Sequence, residues 1–271
     1  MTEITDFAEA LDALREKKPL IHCITNYVTA GDTANMLLAM GASPIMADDP
    51  AETAEITEYA DALVLNMGTL SENHIAAMLK AAESANSRGI PVVLDPVGVH
   101  LSEFRRAAAR RILSEIKVSI IRGNLSELLF MGGISVQSHG VDSAAEPNKG
   151  LNLTAAADVA RWYDCVCTVT GEKDIITDGD RAAQILNGTK KLKRITGAGD
   201  MTTAVIAAFA AVTDSYSAAK FGTAFMGICG EISESFGKSE KRVGMGSFRQ
   251  GLFDAAGDES YLFVERFKIE E

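Results

Sequence analysis

Thr196-Gly197-Ala198-Gly199-Asp200 stands directly before Met201 to Val212, a run with scarcely a polar side chain. The run reads as a buried helix with the two glycines at its N-terminus. Glycine lets the backbone approach a ligand closely and take turn geometries closed to other residues. The free N–H groups and positive dipole end of a helix N-terminus suit an anion, above all a phosphate. Asp200 is out of place beside a bound phosphate unless it has a task. It can cap the helix, or it can take a proton from a hydroxyl that attacks the phosphate. On these five residues alone the two readings stand level.

Working outward, apolar segments alternate with helical patterns. Leu20–Ile24, Ser43–Met46, Ala62–Met67, Ile90–Leu94, Val118–Ile121 and Cys165–Val169 read as strands. Between them Asp6–Lys18, Thr29–Met40, Ala51–Tyr59, Ser71 to Gly89, Phe104–Ile116, Asn124–Met131 and Asp158–Tyr163 carry helical spacing. Gly132-Gly133 ends the helix over Asn124–Met131, and a polar loop follows as far as Gly150. Near-continuous apolar strands separated by helices predict a mostly parallel sheet covered on both faces. After Thr170 the pattern changes: segments 174–177, 182–186 and 192–195 are short, and Asp178-Gly179 and Asn187-Gly188 are hairpin turn signals. An antiparallel meander at one edge of the sheet is expected, then helices over 200–212, 214–236 and two more within 247–267. With no linker and no repeat, residues 1–271 are expected to form one α/β domain.

Composition narrows the function. The net charge of −11 leaves no basic surface for a nucleic-acid backbone. Lys190, Lys191, Lys193 and Arg194 form the densest basic cluster, read as a solvated hairpin strand or as a contribution to a nucleotide site. Cys23, Cys165, Cys167 and Cys229 show no C-x-x-C spacing and read as buried thiols, and the four histidines share no metal-ligand spacing. His22, inside an apolar strand, reads as a core histidine. No secretory h-region opens the chain and no apolar run reaches membrane-spanning length, so a cytoplasmic protein without membrane contact is expected.

In an open α/β sheet, ligands bind outside the carboxyl ends of the strands. The residues ending the apolar runs are Asn26, Met46, Gly68-Thr69, Asp95, Arg122, Asn124 with Glu127, and Thr170-Gly171. Asp95 precedes Pro96, so it serves either a turn or a hard cation such as Mg²⁺ held through water. Asn124-Leu125-Ser126-Glu127 has capping-box spacing, and Glu127 either caps or joins Asp95 at the metal. Arg122 suits a phosphate clamp. Met46 and Met67, both at strand ends, suggest a small apolar pocket. A Walker-type loop and a G-x-G-x-x-G are both lacking.

Taken together, His22-Cys23-Ile24-Thr25-Asn26, Asn66-Met67-Gly68-Thr69-Leu70, Leu94-Asp95-Pro96-Val97-Gly98, Arg122-Gly123-Asn124 with Glu127, Thr170-Gly171-Glu172-Lys173-Asp174 and Thr196-Gly197-Ala198-Gly199 resemble the hydroxyethylthiazole kinases, a thiamine-salvage family of ribokinase-like architecture. The resemblance covers nearly the whole chain. It implies a three-layer sandwich that phosphorylates the primary alcohol of 4-methyl-5-(2-hydroxyethyl)thiazole with ATP and Mg²⁺. Carried over, Asp95 and Glu127 order Mg²⁺. Arg122, Asn124 and Thr170 hold ATP, and Gly197, Ala198 and Gly199 form the anion hole. Asn26, Met46, Gly68, Thr69 and Gly197 line the thiazole pocket. The family is a homotrimer with active sites between subunits. One departure stands out: most thiazole kinases have cysteine where this chain has Asp200, whereas the wider superfamily uses aspartate as its base. A carboxylate is ionised at neutral pH and an ordinary thiol mostly is not, so the exchange preserves or improves proton transfer.

With a metal and a clamp supplied by Asp95, Glu127 and Arg122, the general-base reading of Asp200 takes precedence over capping. Competing readings are a hydroxymethylpyrimidine or pyridoxal-type kinase, an ATP-dependent NAD(P)H-hydrate dehydratase on the same fold, and a non-catalytic nucleotide sensor.

Overall fold

The computed structural model describes residues 3–133, 149–241, 244–258 and 260–271. From the N-terminus it runs α1 (Glu3–Lys17), β1 (Leu20–Ile24), α2 (Ala30–Met40), β2 (Ser43–Ile45), α3 (Thr53–Thr57), β3 (Ala62–Asn66), α4 (Glu72–Arg88), β4 (Val92–Asp95), α5 (Glu103–Glu115), β5 (Ile120–Asn124) and α6 (Leu125–Met131). The second half has α7 (Lys149–Tyr163), β6 (Val166–Thr170), β7 (Asp174–Thr177), β8 (Ala182–Ile185), α8 (Ala198–Ala210), α9 (Ser215–Ser239), α10 (Met245–Ala256), α11 (Tyr261–Val264) and β9 (Ile269–Glu270). Most of the polar loop expected over 133–150 lies outside the described residues. No helix among them is long and apolar enough to cross a membrane.

The strands form one sheet in the order β2-β1-β3-β4-β5-β6-β7-β8-β9. Pairings as far as β6 are parallel and those beyond it antiparallel, as the change of pattern after Thr170 predicts. Side chains alternate between the faces of a strand. Ala62 and Val64 accordingly pack with α1, α2, α8, α9 and α10, whereas Leu63 and Leu65 pack with α4, α5, α6 and α7. The expected three layers are present.

One element departs from expectation. Leu192–Arg194 is a single 3-10 turn and not a third meander strand. The cause lies at Asn187. Its amide donates to the Arg266 carbonyl at 2.8 Å, and its Oδ1 accepts from the Lys268 amide at 2.8 Å. These bonds dock the chain's end beside β8, where Leu186 N–H donates to the Lys268 carbonyl, so β9 takes the edge that segment 192–195 was expected to fill. The basic cluster consequently lies on a turn.

The order of the sheet fixes the site. β1 sends one connection to β2 on its outer side and is flanked on the other by β3. Its end is therefore a switch point, where a crevice opens above the strand termini. Register does the rest. Asn66 is aligned with Asp95 across β3 and β4, and Asn124 with Thr170 across β5 and β6. By the two-residue period, Asn66, Asp95, Arg122 and Thr170 fall on the face of Val64, Val93, Ile120 and Val166, which α8 covers. Four polar residues that each end an apolar run form a row beneath the N-terminus of α8.

Candidate active site

The α8 N-terminus enters with Gly197 in the left-handed region at φ +87°. A Cβ on Gly197 would stand 2.6 Å from Thr29 Cγ2, and one on Gly199 would stand 2.6 Å from Arg122 Nη1. Position 197 therefore requires glycine, which brings α8 against the start of α2, whereas a carbon on Gly199 would meet only the tip of the Arg122 side chain, and glycine there seats the guanidinium on the first turn. A Cβ on Gly68 would lie 2.5 Å from Asn26 Cβ, so the end of β3 presses on the end of β1 with equal tightness.

Asp200 does not cap its helix. Oδ1 accepts from Asn66 Nδ2 at 2.9 Å, and Oδ2 accepts from Asn26 Nδ2 at 2.9 Å and from the Thr29 hydroxyl. Thr29 is the N-cap of α2, yet its side chain makes no cap bond. The N-cap hydrogen bond, worth about 1 kcal/mol, is forgone so that the hydroxyl can serve Asp200. Asn66 is satisfied on both sides. Its amide nitrogen donates to Asp200 and, at 3.2 Å, to Asp95 Oδ2, while its oxygen accepts from Asn26 at 3.1 Å and from Gly68 N–H at 2.9 Å.

Asp95 is fully buried and lopsided. Oδ2 accepts from Thr203 at 2.7 Å, Arg122 at 3.2 Å and Asn66, whereas buried Oδ1 has no partner. Burial pushes its pKa up to about 6 against the opposing pull of Arg122. Glu127 Oε1 accepts from Gly98 N–H and Oε2 from Asn124 N–H, both at 2.8 Å, and Asn124 Oδ1 accepts from Glu127 N–H at 3.0 Å. The capping box is thus real. Burial, followed by the Asp95 charge, raises Glu127 to about 7. Arg122 completes the row, donating through Nη2 to Thr170 Oγ1 at 2.6 Å, with its buried Nε unpartnered.

The expected site residues therefore gather, with three qualifications. The Asn124 side-chain oxygen and Glu127 Oε2 are engaged in the cap, and Glu127 Oε1 holds Gly98 N–H in the loop after Asp95. Met67 is fully buried core and lines no open pocket. Met46 stands one residue beyond β2, half-buried against the α2–α8 layer. Thr69 is partly exposed, its hydroxyl accepting from Tyr27 N–H at 3.4 Å. His22 is a core histidine as expected. Nε2 faces the Ala47 carbonyl at 2.7 Å, Nδ1 faces Thr57 at 2.8 Å, and burial lowers its pKa. The four cysteines are free and buried. Sequence reasoning did not single out Thr29, Asn66 or Thr203 as site residues.

As a test of fit for Mg²⁺, Asp95 Oδ1 is the kind of unmet buried acceptor a hard cation or its water would satisfy. Among the described residues no three metal-ligating side chains cluster.

A glycine-rich helix start above a row of polar strand ends, on a mostly parallel sheet, is a crevice of the kind that binds phosphorylated ligands. A ribokinase-like superfamily protein from Enterococcus faecalis shares the fold, with TM-score 0.62 over 94% of each chain at 10% identity. The Hydroxyethylthiazole kinase family profile matches residues 11–258. Hydroxyethylthiazole kinase of Clostridium beijerinckii is 45% identical, over 96% of this chain and 95% of its own. The structure of the hydroxyethylthiazole kinase protein from Pyrococcus horikoshii OT3 superposes with TM-score 0.88 at 34% identity, over 98% of both chains. The chain belongs to the hydroxyethylthiazole kinase family.

Proposed function

We propose that the protein transfers the γ-phosphoryl group of ATP to the primary alcohol of 4-methyl-5-(2-hydroxyethyl)thiazole, as one kinase domain working in the cytoplasm. The observation that carries this reading is the Asp200 carboxylate, held by three side-chain donors where α8 begins. Oδ2 is filled by two donors, whereas Oδ1 takes only Asn66 and keeps a lone pair. Oδ1 is therefore the atom that takes the hydroxyl proton. The alcohol oxygen bonds to the γ-phosphorus as the bond to the β-phosphate oxygen breaks, and ADP leaves with the electron pair. Backbone N–H groups of Gly197 and Gly199, with Arg122, oppose the charge on the moving phosphoryl group, joined by that of Ala198 once it leaves its long bond (3.3 Å) to the Ile195 carbonyl.

Arg122 and Thr170, with Asn124 at the start of α6, hold the phosphates. Asp95, with Glu127 acting through water, is the seat for Mg²⁺, which supplies charge neutralisation to the phosphate oxygens. Asn26, Met46, Gly68, Thr69 and Gly197 form the alcohol's wall. Tyr27 and Val28, next to Asn26 in the chain, and Leu38 near the end of α2 are exposed apolar side chains, which suits contact with a neighbouring subunit of the homotrimer we propose.

The test is ADP formation by purified protein with ATP, Mg²⁺ and the thiazole alcohol. Turnover with that alcohol and not with pyridoxal or an aminopyrimidine alcohol supports the reading. Turnover only with the latter two removes the thiazole assignment, and binding of ATP without turnover on any alcohol removes the kinase assignment.

A further inference from the structure

Arg105 sits in the first turn of α5, where a cation opposes the helix dipole. Burial lowers its pKa against the opposing charge of Glu127, and among the described residues no carboxylate stands within ion-pair distance of it. Helix stability does not ask for arginine there. Its guanidinium turns to the sheet rim and donates to three main-chain carbonyls: Met67 and Gly68 beyond β3, and Val97, at 2.8 Å, beyond β4. The next carbonyl, Thr69, faces His74 Nδ1 at 3.0 Å, and His74 Nε2 faces Asp48 at 3.0 Å. Three consecutive carbonyls are thus held by side chains from two helices, and Gly68 N–H is held by Asn66.

This segment has no slack to pass on. Gly68 lies against Asn26 so closely that one added carbon would collide, and Asn26 donates to Asp200 at 2.9 Å. A displaced Gly68 therefore displaces a donor of the carboxylate. Through Val97 the same guanidinium also grips the loop after Asp95. A shift of about 1 Å in a supporting shell can cost 10²-fold in rate.

We infer that Arg105 is a positioning residue for the phosphoryl transfer: by gripping Met67, Gly68 and Val97 together it fixes the alcohol wall, and through Asn26 the base Asp200, against the Asp95 loop. The inference rests on the reading of Gly68 and Asn26 as alcohol wall and Asp200 as base. Its test is steady-state kinetics with thermal melting on Arg105→Met and Arg105→Lys, beside Gly68→Ala. Arg105→Met is expected to raise the KM for the alcohol tenfold or more and to lower kcat, with the KM for ATP within twofold. Arg105→Lys keeps the charge without the planar fork and falls between, and it carries the test if the methionine variant does not fold. Unchanged constants, or KM values for both substrates rising together with a lower melting point, would overturn the inference. Gly68→Ala separates the two levels. If it leaves the alcohol KM unchanged, the pocket reading fails and this inference with it. If it raises that KM while the Arg105 variants stay at wild type, only this inference falls.

Discussion

The two carboxylates at the start of α8, Asp200 in its first turn and Asp95 on the sheet below, are furnished in opposite ways. Asp200 is served on both oxygens by Asn26, Asn66 and Thr29, and Asn66 is itself fully used. Asp95, one strand away from Asn66, has three donors crowded on Oδ2 and none on buried Oδ1, and its partner Arg122 has an unpartnered buried Nε. Buried polar atoms are nearly always paired, so each exception asks for a cause. The protein's own side chains complete the base side. On the proposed reading the phosphate side is left open, at a cost in folding energy, for ligands that arrive with the reaction. Such a division suits preorganised catalysis, in which the group that must not reorganise is fixed in advance.

The strongest way to break this contrast is at Asp200. Asp200→Asn keeps the shape and removes the proton acceptor, and kcat should fall about 10²- to 10⁴-fold. Nucleotide binding by calorimetry should survive. Retained turnover would sink the base assignment. On the open side, Arg122→Lys keeps the charge and loses the fork joining Asp95 to Thr170. The KM for ATP should rise about tenfold, equivalent to about 1.4 kcal/mol, with the alcohol KM little changed. Equal movement of both KM values would show that the two sides are not separate.

How much of this was legible follows from the physics of each residue. The parallel strands declared themselves because a strand buried on both faces must be apolar throughout, and Asp95 and Arg122 stood out because they end such runs. Thr29 carries no such contrast, since a threonine before a helical pattern looks like an N-cap. Asn66 looks like a turn former, and Thr203 is one hydroxyl in an apolar helix. Arg105 is hidden among Arg106, Arg110 and Arg111 in a helix that reads as solvated. The 192–195 segment misled because hairpin signals state that a chain turns, not which distant strand will occupy the edge. Asn187 chose β9 through its side chain, which no local pattern displays.

A smaller effect probes the join between the sides. Gly199→Ala places a carbon against Arg122 Nη1, and Gly197→Ala combines φ +87° with the Thr29 collision. The left-handed conformation alone costs an alanine roughly 1–2 kcal/mol. Gly197→Ala should therefore lower the melting temperature more than Gly199→Ala. Gly199→Ala should instead act on the ATP KM, because what it pushes aside is the clamp. Melting curves and kinetics on the pair check both assignments; the reverse order would mean that the first turn does not link the two sides.

The smallest expected effect tests the open side without any substrate. Burial raises Asp95 to about 6 and Glu127 to about 7 in the folded chain, above the ordinary carboxylate range near 4. Between those values the folded state binds more protons than the unfolded state, so stability is greatest at the acid end of the window. It declines as pH rises from about 4 to about 7. A salt-bridged surface carboxylate does the opposite, so the sign is diagnostic. Melting of the protein without nucleotide or divalent ion, across that window, should show this contribution as a fall toward neutral pH, and Asp95→Asn should make it shallower, the remainder coming from Glu127 and from Asp174, which burial also raises to about 7. A curve for the variant that is parallel to wild type would mean that Asp95 is not held against its preference. The open side of the site would then cost the fold nothing.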